Sequence, residues 1–257
     1  MAQELAGKVA IITGATSGIG RAALVRFVEE GAAVLAVGRD ERVLAEITVQ
    51  VSQDGGLCEA CVADVTEPAA AVKIVEAAVQ RLGGIDVLVN AAGAIATGTI
   101  ENTSDESWDA MMAINMTAPF RLMRAATPHL VERRGAVVNV SSVNGLRSFA
   151  GVLAYCVSKS GVDQLTRCAA LELAPKQVRV NAVNPGVTVT NLHRRSGMDE
   201  TRYAAFLERS KETHPLGRPG TPEEIAEMIL FLASARSSWM TGETIALDGG
   251  RHLTCAR

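Results

Sequence analysis

Short apolar runs alternate with helix-period segments, a glycine-rich turn directly follows the first run, and small aliphatic residues dominate the composition. Together these predict an α/β fold: a doubly wound parallel sheet of about seven strands with helices on both faces. Strands buried on both faces read as continuous Val, Ile, Leu and Ala rather than as alternating apolar and polar residues. The 257 residues are 48% apolar and only 4% aromatic, which suits such a sheet. No linker, repeat or low-complexity tract divides them, so residues 1–257 are expected to form one domain.

Residues 9–12 are the first expected strand. Ile19, Ala23 and Phe27 then recur at helical spacing, and Gly31 supplies a stop. Residues 34–37 form the second strand, and a polar helix follows over about 40–53, ended by Gly55-Gly56. The third strand is 57–63. Val72, Val75, Val79 and Leu82 mark one face of the next helix, which Gly83-Gly84 ends. The fourth and fifth strands are 85–89 and 136–140. Between them 108–115 and 119–131 read as two helices, with Pro119 suited to the first turn of the second. Val162, Leu165, Ala169 and Leu173 place a helix after Tyr155. The sixth strand is 178–183. A helix over 223–233 is introduced by Thr221 as N-cap and Pro222 at its first position, and 244–247 is the seventh strand. Residues 188–218 are long, charged and weakly periodic, and read as an irregular binding loop or lid.

The net charge of -3 provides no basic footprint for nucleic acid. No apolar stretch is long enough to span a bilayer. The first seven residues carry Glu4 and lack the basic-then-apolar pattern of a secretion leader. Cys255 stands third from the end, outside a prenylation box. A cytoplasmic protein is the expectation, and five cysteines fit a reducing compartment. Cys58 and Cys61 form a C-x-x-C in an expected strand. There, residues three apart point to opposite faces with Cα atoms about 10 Å apart, whereas a disulfide needs less than about 7 Å. They read as buried thiols. The histidines His129, His193, His214 and His252 show no ligand spacing, so no metal site is expected.

The turn after the first strand reads Thr13-Gly14-Ala15-Thr16-Ser17-Gly18-Ile19-Gly20. Glycines let backbone turn tightly and approach a pyrophosphate, and a helix N-terminus adds free N–H donors and a positive dipole end. The spacing G-x-x-x-G-x-G differs from the common dinucleotide fingerprint, and an ordinary βα turn is the bland alternative. The second strand ends at Gly38-Arg39. NAD-type sites usually place a carboxylate here for the ribose 2′-hydroxyl. Gly38 supplies none, and the Arg39 guanidinium suits a 2′-phosphate, which favours NADP(H). Asp40 and Glu41 can offset that charge, which keeps NAD(H) as the runner-up. Asp64 and Val65 follow the third strand; Asn90 ends the fourth, before Ala91, Ala92 and Gly93. Polar residues at the carboxyl ends of parallel strands line the ligand crevice, although each also reads as a cap or turn residue. Asp64 is placed to accept from an adenine amino group and Asn90 to hold backbone around the cofactor. Asn184-Pro185-Gly186 reads first as a turn; with Val187, Thr188 and Thr190 it also sits where a nicotinamide carboxamide would meet backbone and a hydroxyl.

Tyr155 and Lys159 lie one helical turn apart on one face. A free tyrosine has a pKa of about 10. An ammonium at roughly 4 Å, with an effective dielectric of about 20, favours the phenolate by on the order of 4 kcal/mol. That is up to about three pKa units before desolvation opposes it, and makes a phenol able to exchange protons near neutral pH. Ser142 precedes this pair and offers a hydroxyl to a substrate oxygen. Asn115, a poor helix former inside a helical pattern, caps a break or holds a water.

In combination these features resemble the short-chain dehydrogenase/reductase family, in its branch of roughly 250-residue chains. The motifs are T-G-x-x-x-G-I-G from Thr13, N-A-A-G from Asn90, a serine thirteen places before the tyrosine, Y-x-x-x-K at Tyr155, and N-P-G-x-x-x-T ending at Thr190. The resemblance runs from Gly7-Lys8-Val9-Ala10 to Asp248-Gly249-Gly250, and its main departure is Ala91, where many members carry a second Asn. It implies a Rossmann-type fold and a carbonyl reductase or alcohol dehydrogenase similar to the 3-oxoacyl-thioester reductases. Tyr155 would be the general acid or base, Lys159 would lower its pKa and bind the nicotinamide ribose, and Ser142 would hydrogen-bond the substrate oxygen. Asn115 would hold a water of a proton relay, and Thr190 would bind the carboxamide. A homotetramer, or a dimer, is implied as well. Two alternatives stay open: an NAD-dependent alcohol or hydroxysteroid dehydrogenase, and a silent dinucleotide-binding protein, whose expected sign, loss of the tyrosine, lysine or serine, does not occur here. Leu192, Met198, Tyr203, Phe206 and Leu207, with Leu146, Phe149 and Leu153, are expected either to line an apolar lid over a substrate with hydrocarbon bulk or to pack locally.

Overall fold

In the computed structural model, which describes residues 3–254, the strands are β1 (Val9–Thr13), β2 (Ala33–Gly38), β3 (Leu57–Val62), β4 (Val87–Asn90), β5 (Ala136–Val140), β6 (Arg179–Pro185) and β7 (Thr244–Leu247). Cys255 lies outside the described residues. All pairings are parallel, in the order β3-β2-β1-β4-β5-β6-β7. The chain builds outward from β1 to β3, then crosses back to place β4 on the other side of β1. That reversal opens a crevice beyond the carboxyl ends of β1 and β4, where ligands bind in open α/β sheets.

The helices are α1 (Gly18–Glu29), α2 (Glu41–Gln53), α3 (Ala70–Leu82), α4 (Asp105–Met112), α5 (Ala118–Arg133), α6 (Val143–Leu146), α7 (Leu153–Leu173), α8 (Leu192–Arg195), α9 (Glu200–Thr213) and α10 (Pro222–Ala233). Strand alternation divides the apolar residues between two cores. Ala10 and Ile12 face one, packed by Phe27 of α1, Leu44 of α2 and Ile229 of α10. Ile11 faces the other, packed by Ile74 of α3, Leu122 of α5 and Leu173 of α7. Each large aliphatic side chain so buried contributes roughly 1.5–3 kcal/mol. Cys58 packs against the first core and Cys61 belongs to the second, so the two thiols point to opposite faces of β3. Burial pushes the Cys58 thiol up to about 11 and Cys61 upward as well.

Four local expectations change. The inward stripe of α3 is Ala71, Ile74, Val75 and Ala78, and Val72 is 54% exposed. Small alanines let the helix approach the sheet, a signal the larger valines masked. The two helices expected around Asn115 form one run, because a π-helical turn (Ala113–Thr117) joins α4 to α5. This wide turn precedes Pro119, which has no N–H for the carbonyl four residues back. The segment 188–218 is largely helical, not irregular. Asp199 caps α9 by accepting from the Arg202 amide at 2.8 Å, but the helix buries only Tyr203, Ser210 and Thr213, too few to mark a periodic apolar stripe. Finally, Asn184 and Pro185 extend β6 and pair with Ala246 and Leu247 instead of turning. Pairing with β5 has ended at Val183, so the absent proline N–H breaks no ladder there. Thr221 caps α10 as expected, in a capping box with Glu224. Among the described residues no helix is long and apolar enough to cross a membrane.

Candidate active site

The glycine-rich turn is held by its neighbour strand. Thr13 Oγ1 accepts from the amides of Ala91 and Ala92, both at 3.1 Å, which pins the turn to the chain leaving β4. Gly14 adopts φ +69°, and a Cβ there would stand 2.9 Å from Ala91 backbone. At Gly20 a Cβ would strike the Gly14 carbonyl, so α1 starts directly against the turn. Ser17 is the N-cap of α1 but its hydroxyl caps nothing, and the first turn carries no acidic residue. The N–H donors and positive end of α1 therefore remain available to an anion.

At the end of β2 a Cβ on Gly38 would meet Thr16 Cγ2 at 2.6 Å, so Gly38 makes room for the turn. The Arg39 side chain is 71% exposed and its Nη1 lies 3.6 Å from Asp64 Oδ2. Asp40 accepts from the Val43 amide at 3.1 Å as N-cap of α2, so its charge serves the helix start. Asp64 Oδ1 accepts from the Thr66 amide and hydroxyl, which hold its carboxyl below the usual carboxylate range, with Arg39 assisting. Val65 is buried beside it. Asn90 points into the sheet. Its Nδ2 donates to Asn139 Oδ1 at 2.8 Å, and Asn139 Nδ2 donates to Thr166 Oγ1 of α7 at 2.9 Å.

Tyr155 and Lys159 occupy the first turns of α7, and both are buried. Lys159 Nζ donates to the Val140 carbonyl at 2.8 Å and stands 5.7 Å from the centre of the Tyr155 ring. Ser142 caps α6, accepting from the Asn144 amide at 3.2 Å. Burial pushes the Tyr155 phenol up to about 12, against a smaller downward pull from a hydrogen bond with Ser142. It pushes Lys159 down to about 8, against the opposing charge of Asp163. Burial therefore works against the near-neutral phenol that the Tyr–Lys spacing suggests.

Asn115 sits in the π turn. Its Oδ1 accepts from the Ala94 amide at 3.1 Å, and its Nδ2 donates to the Ala94 carbonyl at 3.0 Å and to Ser158 Oγ at 3.1 Å. It therefore ties the wide turn to the loop after β4. A Cβ on Gly93 would come within 3.0 Å of Asn115 Oδ1 and 3.6 Å of Lys159 Nζ, so glycine keeps this approach open.

These pieces surround one cleft of about 330 Å³. Gly14, Ser17, Gly18, Ile19 and Gly20 form one end, Ala91 and Gly93 the floor, and Ser142, Tyr155 and Lys159 the reactive wall. Pro185, Gly186, Val187, Thr188 and Thr190 close the side beyond β6, where the Thr190 methyl packs over Gly18. Thr16, Val65, Asn90 and Asn115 do not line the cleft; Asn90 and Asn115 are buried and hydrogen-bonded to Asn139 and to the Ala94 backbone. Arg39 borders a separate open depression with Asp40, Glu41 and Arg42, and Asp64 reaches it through the Arg39 contact. Of the expected lid residues, Leu192, Phe206 and Phe149 reach the cleft, whereas Met198, Leu207, Leu146 and Leu153 do not. Tyr203 is buried and acts as a pin: its hydroxyl donates to the Thr190 carbonyl at 2.9 Å, with the Arg194 guanidinium 3.9 Å over its ring. The wall is mixed in character, since His193, Arg195 and Arg251 also line it. His214 is a supporting residue that no sequence motif marks. Its Nε2 accepts from the Val187 amide at 3.1 Å while Nδ1 faces the Ser210 carbonyl at 2.8 Å, and a lone histidine carries no spacing signal for such a role.

A parallel sheet with a glycine turn at its reversal point, and a Ser–Tyr–Lys wall in the same cleft, defines a dinucleotide-dependent oxidoreductase type. A family model described as enoyl-(acyl carrier protein) reductase matches residues 14–252. The 3-oxoacyl-[acyl-carrier-protein] reductase FabG of Thermotoga maritima is 40% identical over 96% of this chain and 98% of its own. The 2,5-dichloro-2,5-cyclohexadiene-1,4-diol dehydrogenase LinX of Sphingobium indicum is 38% identical over 97% and 98%. A crystal structure of a putative NAD(P)-dependent gluconate 5-dehydrogenase from Beutenbergia cavernae, with bound NADP, superposes with a TM-score of 0.89 at 35% identity, covering 99% of this chain and all of that one. The chain belongs to the short-chain dehydrogenase/reductase family, whose members here are oxidoreductases of alcohol and carbonyl groups.

The turn geometry yields a direct test. Gly20→Ala is expected to lower the melting temperature by several degrees and to weaken dinucleotide binding by tenfold or more, read by nicotinamide fluorescence. Unchanged binding would show that the contact between α1 and the Gly14 carbonyl does not shape the site.

Proposed function

We propose that this protein is an NADP(H)-dependent oxidoreductase interconverting a carbonyl and a secondary alcohol, with Tyr155 as general acid in reduction and general base in oxidation. The observation that carries this reading is the convergence of Ser142, Tyr155 and Lys159 on the cleft that the glycine turn opens. The residues present fit a dinucleotide: the uncapped start of α1 suits a pyrophosphate, and the Cβ-free positions Gly14 and Gly93 leave room beside it. When bound, the nicotinamide supplies hydride to, or removes it from, the reacting carbon. Arg39 holds the 2′-phosphate, Asp64 takes the adenine side, Lys159 holds the nicotinamide ribose and Thr190 the carboxamide.

Ser142 fixes the substrate oxygen beside Tyr155, which gives up its phenol proton as that oxygen gains charge. A phenol held up to about 12 stays protonated at neutral pH, the form that reduction requires. Asn115 keeps the loop after β4 and the π turn in register with Lys159, and would hold the water that extends a proton relay. Phe149, Leu192 and Phe206 suit hydrocarbon bulk in the substrate, with residues 188–218 as the lid. NAD(H) is the second reading, because Asp64 already engages Arg39.

Turnover of NADPH against ketones, 3-oxoacyl thioesters and steroids, with NADH in parallel, tests the activity. Tyr155→Phe is expected to lose about 10²–10⁴ in kcat/KM while NADPH binding persists; retained activity would remove the acid–base role. Arg39→Asp is expected to weaken NADPH by tenfold or more relative to NADH, and equal loss for both would remove the phosphate contact. Exposed Phe120, Val157, Leu171 and Trp239 support a homotetramer, for which light scattering should return about four times 27.0 kDa. A monomer mass would leave those side chains unexplained.

A further inference from the structure

We propose that Asp163 is a positioning residue of this active site, whose buried charge keeps Lys159 an ammonium and whose hydrogen bonds lock the three elements that carry the reactive wall. The inference rests on the reading of Tyr155 and Lys159 given above. Tyr155, Lys159 and Asp163 follow one another at four-residue steps of α7, so they share a face. Their exposures are 6%, 5% and 1%, and a carboxylate that deep needs partners.

Those partners come from two other elements. Asn184, at the end of β6, donates its Nδ2 to both carboxylate oxygens, at 3.1 and 2.9 Å. The same amide group reaches the Ser142 carbonyl at 2.8 Å, at the head of α6. Ser141, just past β5, shares its one hydroxyl proton between the Lys159 carbonyl, at 3.2 Å, and the carboxylate beside it. Opposite this cluster a Cβ on Gly145 would collide with Asp163 Oδ2 and come within 3.0 Å of the Lys159 carbonyl. Asp163 is thus the hub through which α7, the Ser141–Ser142 backbone and β6 are held in one arrangement.

Charge gives the second half of the role. The charged and titratable groups bearing on this pair are Lys159, Tyr155 and Arg167 of α7 itself. The neighbouring elements contribute the neutral Ser141 and Asn184. Arg167 is exposed and already engaged with Gln164 and Thr244. Burial pushes the Asp163 carboxyl above the usual carboxylate range, against its hydrogen bonds and the charges of Arg167 and Lys159, and Asp163 in turn opposes the loss of the Lys159 proton. A Lys159 that loses its proton can neither hold a ribose hydroxyl as a charged donor nor favour a phenolate.

The test compares wild type, Asp163→Asn, Asp163→Ser and Asp163→Glu from neutral to alkaline pH, reading NADPH affinity by fluorescence and kcat/KM for reduction. In wild type both should fall as Lys159 deprotonates. Asp163→Asn is expected to begin that fall about one pH unit lower, while Asp163→Glu keeps the wild-type limb even where overall activity drops. Asp163→Ser removes the charge without setting a second amide against Asn184; it carries the same expectation if the Asn variant does not fold. An unchanged alkaline limb in the charge-removing variants, however much activity is lost, would overturn the proposal and leave a packing role only. If NADPH binds but no carbonyl is turned over, the reductase reading fails separately, and the affinity–pH curve still decides the role of Asp163.

Discussion

The site depends on a close backbone contact between two parallel strand ends. Because β1 pairs with β4 in the register Ile12 to Val89, the chains leaving both strands run side by side, and Gly14 lies against Ala91. Only a residue without a Cβ tolerates that approach, and Thr13 seals it by accepting from two successive amides across the gap. α1 then starts against the Gly14 carbonyl, with its donors aimed into the opening. Displacing this contact would move the start of α1 relative to β4 and, through the pairing of β4 with β5, relative to Ser142.

The wall formed by Ser142, Tyr155 and Lys159 is arranged against its own electrostatics. Burying Tyr155 and Lys159 raises one and lowers the other, so each is driven toward its neutral form. A buried phenol suits proton donation, but a buried lysine needs a compensating charge to keep its own proton. Function-bearing groups often sit where local structure is energetically unfavourable and the surrounding framework holds them. Here that framework includes the asparagine ladder from Asn90 through Asn139 to α7, and the π turn that lets Asn115 reach both Ala94 and Ser158.

Much of the cleft was legible in the chain because its motifs encode local requirements. A glycine needed for a positive φ, a threonine that must cap a helix, and a tyrosine and lysine four residues apart each leave a mark readable within a few positions. The less legible parts have longer reach. Val72 outranks Ala71 in hydrophobicity, yet the alanine faces the sheet, because closeness of approach and not side-chain size selects the inward stripe. α9 escaped notice because its contacts are few and partly polar. Asn184-Pro185 read as a turn, since nothing nearby in sequence announces that β7 extends the pairing.

By itself the sequence determined the alternation of strands and helices, the glycine turn, the choice of Arg39 over a carboxylate, and the helical face shared by Tyr155 and Lys159. These follow from periodicity, backbone sterics and residue chemistry acting over one or two turns. Tertiary structure alone decided the burial of that pair, the bond of Asn90 to Asn139, the use of Tyr203 as a pin, and the joining of Asp163 to Asn184. Each of these depends on how far water is excluded and which distant groups meet, quantities set by the packing of β5, β6 and α7 together and by no single stretch of the chain.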